Sequence, residues 1–319
     1  MVDDGTRSTV IGVTALAHII RNEMVESVHY GHLIVLDATG AEAFHLGDSN
    51  TPIFPRSSIK PIQARAMVKL GLDIEARLLA LVIASHSGSI EHVAGVRQLL
   101  NDFGLTDSAL QCSLDAPLGD IERKLWGEKP PSRITMNCSG KHAGMLATCV
   151  INGWDTSNYL DMNHPLQVAI KNEIESAARE KNSNETFDGC GAPLFAISLA
   201  GLSRAIHDVV NSDDQASQAI VRAMSSHPEM VSGARRLSAG WMRAVPGLIM
   251  KEGAEGVLIA GQRGRGVIAF KVLDGSFRAH GVIIRAALER IGITGVEQAV
   301  SSLTIFGGPP PKVAIRAAF

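Results

Sequence analysis

The sequence predicts an α/β protein whose sheet is drawn from both ends of the chain and whose middle is a mostly helical lobe. Three observations predict it. About the first 50 residues carry β-rich runs broken by turn residues. From Pro61 to Gly247 apolar residues recur mainly at helical spacing. After Pro246 the β-rich runs return, followed by one more helical stretch. The sheet lobe is assigned to residues 1–56 and 247–319 and the helical lobe to 57–246, with a site in the cleft between them.

The elements follow in order. "VESVHYGHLIVLDATGAEAFHLG" holds two strand-like runs around the turn cluster Asp37 to Gly40. Ile59, Ile62, Ala66 and Leu70 mark a helix that stops at Gly71. Ile74, Leu78 and Val82 carry a second helix. Val93, Val96, Leu100 and Phe103 carry a third, between Ser89 and Gly104. "HPLQVAIKNEIESAAR" places Pro165 at a first helical position. "PLFAISLAGLSRAIHDVV" and "QASQAIVRAMSS" read as further helix. "GVLIAG" and "GVIAFKVLDG" read as a hairpin around "QRGRG", and "RAHGVIIRAALERIG" as a helix on that sheet. "GGPPPKVAIRAAF" has no clear assignment, and "GGPPP" lacks the lysine and spacing of a phosphate loop.

Composition bounds the function. A chain of 319 residues supports a large core in one lobed domain or two small ones. A net charge of −2 and an aromatic content of 4% argue against nucleic acid and against an anionic membrane surface. No stretch reaches the ~20 apolar residues of a membrane span. "MVDDGTRSTVIGV" begins acidic and lacks the apolar run of a secretory signal, so the expected location is cytoplasmic. The four cysteines, Cys112, Cys138, Cys149 and Cys190, then read as reduced thiols rather than disulfides.

Chemistry enters at "FPRSSIKPIQA". Ser57 lies three residues before Lys60, so on a helix the two share a face. Pro61 lacks an N–H and belongs in a first helical turn, which puts the pair beside exposed amides. A neutral lysine next to a serine hydroxyl can take its proton and make an acyl-transfer nucleophile. S-x-x-K with a later lysine before glycine is the serine hydrolase set of β-lactamases and penicillin-binding proteins. By itself the spacing also fits a helix cap with a solvated lysine. Ser85 in "ASHSGS" and Lys251 in "MKEGAEG" supply a second serine and a second lysine, and the strand, helix, strand order matches the β-lactamase layout. Cys138, with Lys141 and His142 in "MNCSGKHAGM", and Cys190 in "GCGAP" both fall in apparent glycine-bearing turns. They admit three readings: zinc ligands, a Cys138 nucleophile with His142 as base, or buried thiols. Asp188 either meets an amino group or holds a turn.

Taken together, "FPRSSIKPIQA", "ASHSGS", "NCSGKHAGML", "HPLQ", "DGCGAP" and "HPEMV" occur in the order found in the rhizobial-type, or class 3, L-asparaginases. The chain resembles that family from about residue 20 to 275. The resemblance implies hydrolysis of L-asparagine to L-aspartate and ammonia, a serine β-lactamase and glutaminase-like fold, and a homodimer. It implies a catalytic set of Ser57 with Lys60 and Ser85 with Lys251. It implies zinc on Cys138, Lys141 and Cys190, which resolves the three readings in favour of metal. Asp188, Arg56 and His142 are the expected substrate contacts. The rival expectations are a zinc-dependent amidase acting on another small amide, and a non-catalytic amino-acid-binding protein of the same fold.

Overall fold

A computed structural model describes residues 12–294 and 313–319. Most of the "MVDDGTRSTVIGV" start and all of "GGPPPK" lie outside the described residues. The chain opens with strands β1 (Thr14–Arg21), β2 (Met24–Asp37), β3 (Glu42–Leu46) and the short β4 (Pro52–Ile53). A 3-10 turn (Arg56–Ile59) leads into helix α1 (Lys60–Lys69), then α2 (Ala76–Ile83), α3 (Ile90–Asp102), α4 (Asp120–Trp126), α5 (Ser139–Asn152) and α6 (Pro165–Ala178). Strands β5 (Asn184–Phe187) and β6 (Pro193–Ser198) interrupt the helices before α7 (Leu199–Asn211), α8 (Gln215–Ser226), α9 (Pro228–Val231) and α10 (Leu237–Ala244). Strands β7 (Ile249–Gly253), β8 (Val257–Gln262) and β9 (Gly266–Val272), helix α11 (His280–Arg290) and strand β10 (Val313–Ala317) complete the described chain.

The main sheet has the order β10-β1-β2-β9-β8-β7, with β3 paired to the second half of β2. All its pairings are antiparallel. Both ends of the chain therefore meet in one sheet, as the sequence predicts. Leu33 to Leu36 and Val257 to Gly261 are buried without alternation, so helices must cover both faces. Gly261 on one face abuts Ile206 and Val210 of α7, and Gly266 on the other abuts Ile291 just after α11.

Two features differ from the sequence reading. "PLFAIS" is strand β6, in a small sheet of order β4-β6-β5, rather than the start of a helix. All six of its residues are buried, and a fully apolar run has no period to separate strand from helix. The "SGKHAG" segment is the first turns of α5 rather than a turn. Its two glycines make that helix fit.

The fit matters because α2 is apolar and buried all round from Leu78 to Ile83, each at most 3% exposed. Such a helix must be enclosed by others. Gly140 and Gly144 let α5 approach it closely. A Cβ on Gly140 would meet the Leu81 carbonyl oxygen at 2.2 Å, and one on Gly144 would meet Val82 at 2.7 Å. This contact brings the residue just before α5, Cys138, to the residues just after α2, Ala84 and Ser85.

Gly140→Ala is therefore expected to destabilise the fold by about 1–3 kcal/mol through overpacking. Urea unfolding monitored by circular dichroism checks this. An unchanged midpoint would contradict the assigned helix contact.

Candidate active site

The start of α1, the end of α2 and strand β7 converge on one hydroxyl. Lys60, the first residue of α1, is buried, and its amino group donates to Ala84 O, to Ser85 Oγ at 3.1 Å and to Cys138 Sγ at 3.1 Å. Lys251 on β7 is also buried, with Nζ 2.9 Å from Ser85 Oγ and 2.7 Å from Glu252 O. Burial, and then the charge of Lys60, hold the Lys251 amine well below the usual lysine range. A neutral Lys251 can accept the Ser85 proton while the Lys60 ammonium donates to the same oxygen.

The expected pairing of Lys60 with Ser57 is corrected here: Lys60 turns to Ser85. Ser57 sits in the 3-10 turn before α1, and Lys60 already has three acceptors for its three N–H groups. Among the described residues the Ser57 hydroxyl has no hydrogen-bond partner, and it faces a cleft that Ser85 also lines. Ser87, the second serine of "ASHSGS", donates to Glu122 at 3.1 Å instead.

Ser85 is fixed by its surroundings. Its N–H donates to Val231 O, and the next N–H, of His86, donates to Asn137 O, each at 3.0 Å. The His86 side chain adds a third tie, to Ser139 Oγ at 2.8 Å. Ser139 already donates to Ile134 O, so His86 Nε2 is the donor in that contact. Burial keeps His86 well below the usual histidine range and hence neutral, which leaves Nδ1 bare. These contacts join the end of α2 to the start of α5.

The cleft has a volume of about 600 Å³. Beside the two serines it is lined by Asn137, Arg235, Arg236 and Glu252, none of which the sequence reading selects. The sequence cues to them are the Arg235–Arg236 doublet before α10, the acid next to Lys251 and the place of Asn137 beside Cys138 in "NCSGKHAGML". Arg236 and Glu252 form an ion pair at 2.8 Å. Gly253, next along β7, packs on the serine turn. A Cβ there would lie 2.6 Å from Pro55 O and 3.1 Å from Ser58 N. Only glycine lets β7 come this close.

A second cluster adjoins Lys60. Lys141 Nζ donates to Cys190 Sγ at 3.2 Å, and the Cys138 thiol, which adjoins Cys190, donates to Asn137 Oδ1 at 3.1 Å. Interaction with Cys190 and burial push the Cys138 thiol up to about 12, while interaction with Cys138, then Lys141, hold Cys190 well below the usual thiol range. This favours a thiolate on Cys190 beside the Lys141 amino group. Among the described residues no group of three or more His, Cys, Asp or Glu side chains is placed to hold a metal. Two sulfurs and the Lys141 nitrogen nonetheless form one donor set whose softness fits zinc, provided Lys141 sheds its proton.

The three expected substrate contacts are absent from the cleft lining. Arg56 Nε donates to Asp188 Oδ1 at 2.7 Å, so the two residues pair with each other. Arg56 holds a left-handed φ of 51° and lines a separate hollow with Phe54, Phe187 and Lys271. His142 is fully buried, with Nδ1 2.7 Å from the Tyr159 hydroxyl. Burial and then Lys141 hold it well below the usual histidine range.

Comparison with known proteins follows from this geometry. The sequence matches the family described as L-asparaginase II over residues 17–310. The chain belongs to the L-asparaginase II family. No curated protein matches it. Among solved structures it is similar to a β-lactamase from Mycobacterium bovis, at 16% identity, covering 77% of this chain and 88% of that one with a TM-score of 0.43. It is also similar to a Bacillus glutaminase, at 12% identity, covering 76% and 83% with a TM-score of 0.35. Membership of the L-asparaginase II family supports an amidohydrolase activity. No helix of the described residues is long and apolar enough to cross a membrane.

Two outcomes are expected for this family member. Gly253→Ala should displace β7 from the serine turn and lower amidohydrolase activity by about 100-fold with the fold retained; wild-type activity would contradict the contact. A base that works neutral loses activity as pH falls through its depressed pKa, so the pH–rate profile should show an acid limb below the ordinary lysine range of about 10.4. Lys251→Met should lower kcat by about 10²–10⁴ and remove that limb. A limb that persists in the variant would assign it to another group.

Proposed function

We propose that the cleft hydrolyses the side-chain amide of L-asparagine to L-aspartate and ammonia through a serine acyl-enzyme. The observation that carries this reading is the Ser85 hydroxyl held between Lys60 and Lys251 in the cleft that Ser57 faces. Ser57 attacks the amide carbon, and its proton passes through Ser85 to Lys251. Backbone amides at the Ser57 turn would stabilise the oxyanion, at roughly 3 kcal/mol per donor. The proton on Lys251 returns through Ser85 to the departing ammonia, and water then cleaves the ester by the same relay. The Lys60 ammonium orients Ser85 throughout.

Cys138, Lys141 and Cys190 are the residues that would hold zinc. Bound there, zinc would supply a Lewis-acidic anchor for the carboxylate or amino group of the substrate. The active protein is proposed to be a homodimer in the cytoplasm. Ser85 attacking directly is a second reading, favoured by the fact that both lysine contacts fall on Ser85.

Ammonia release from L-asparagine by wild type, Ser57→Ala and Ser85→Ala tests the proposal, together with mass mapping of acyl-enzyme trapped by acid quench. Ser57→Ala is expected to lose on the order of 10³-fold or more in kcat, with the adduct on the Ser57 peptide of the wild type. An adduct on Ser85 would select the second reading. No ammonia from folded wild type would contradict both.

A further inference from the structure

The cleft is larger and less polar than asparagine requires. Its volume of about 600 Å³ lies in the range of sites that enclose drug-sized ligands. The serines, Asn137, Glu252 and the two arginines suffice for an amide and an amino-acid head group. The same cleft is also lined by Leu118, Leu237 and Phe277, which an amino-acid amide leaves without a partner.

Phe277 is built as a platform. Its ring packs at 4.8 Å on the ring of His280, which in turn meets Phe270 edge-on at 5.0 Å. His280 is buried, and neither ring nitrogen has a side-chain-type hydrogen-bond partner. It serves here as an aromatic spacer, and burial lowers its pKa to about 4, which keeps it neutral. Phe277 remains 47% exposed, so its ring is supported from below and open above. Leu118 and Leu237 are half-buried across the same space. This apolar wall shares the cleft with Glu252, Gly253 and Ala254, the residues that follow Lys251 in sequence. Lys251, assigned to return a proton to the leaving nitrogen, holds Ser85, which lines this cleft, so a substituent on that nitrogen would share the cleft with the apolar wall.

We infer that the site accepts secondary amides whose nitrogen carries an apolar or aromatic substituent, in addition to the primary amide. The inference rests on the amidohydrolase reading. The reaction keeps the same balance. The serine oxygen bonds to the carbonyl carbon, the C–N bond breaks, and the amine leaves with the proton held on Lys251. Water then releases the acid.

The test compares L-asparagine with the β-anilide of L-aspartate, following ammonia and aniline. Wild type is expected to cleave the anilide with kcat/KM no more than tenfold below that for asparagine. Phe277→Ser and Leu237→Ser are each expected to lower kcat/KM for the anilide relative to asparagine by about tenfold, the scale of a lost apolar contact in a pocket. Cleavage of asparagine with no attack on the anilide overturns this inference and leaves the amidohydrolase reading intact. Equal losses on both substrates in both variants would make the wall structural and also overturn it. Failure of the folded wild type on both substrates overturns the amidohydrolase reading itself.

Discussion

Two lysine amino groups share one serine hydroxyl in the protein interior, and burial together with the charge of Lys60 disfavours charge on Lys251. Two ammonium groups this close with little solvent repel strongly. The surroundings decide which one keeps its proton. Lys60 has three acceptors, the Ala84 carbonyl, Ser85 and Cys138, so an ammonium fits it. Lys251 has the Glu252 carbonyl and Ser85, and its pKa falls. The outcome is an ordered arrangement of donor, hydroxyl and base within one hydrogen-bonded row.

The fold exists around that row. Ser85 and Lys251 are 166 residues apart and meet only because the C-terminal strands return to the sheet begun by β1 and β2. The buried α2 ends at the row, and α5 packs against α2 tightly enough to deliver Cys138 to Lys60. Glycine permits two close approaches around the site, Gly140 between α5 and α2 and Gly253 beside the serine turn. The row also continues into the sulfur cluster through Lys60 and Cys138, so the charge state of the thiols and that of the serine site share a contact. A metal at Cys138 and Cys190 would act on the same lysine.

The sequence made the principal elements legible, because strands at both ends and a helical middle leave different periodicities. It also made Ser57, Lys60, Ser85 and Lys251 legible, because serines and lysines in these contexts have a chemical meaning. It misassigned β6, where six consecutive buried residues erase the period. It paired Lys60 with the wrong serine, because a spacing of three describes a continuous helix and Ser57 lies in the 3-10 turn before it. Sequence singles out Arg56 and Asp188 individually as expected substrate contacts, but it cannot show that they pair with each other. Asn137 lies inside the quoted "NCSGKHAGML" segment but carries no assigned role there, and Leu237 and Phe277 belong to no motif. They reach the cleft through tertiary packing, and only the structure places them there.

The measurement that tests the central claim most directly is the protonation state of Lys251 in the folded protein. Lysine ¹³Cε resonances followed by NMR over pH, with Lys251→Met to assign the signal, report it. A Lys251 signal that is neutral at pH 7 while that of Lys60 is charged would support the ordered donor, hydroxyl and base. A Lys251 that stays charged up to the ordinary lysine range would leave Ser85 without a base and contradict the account.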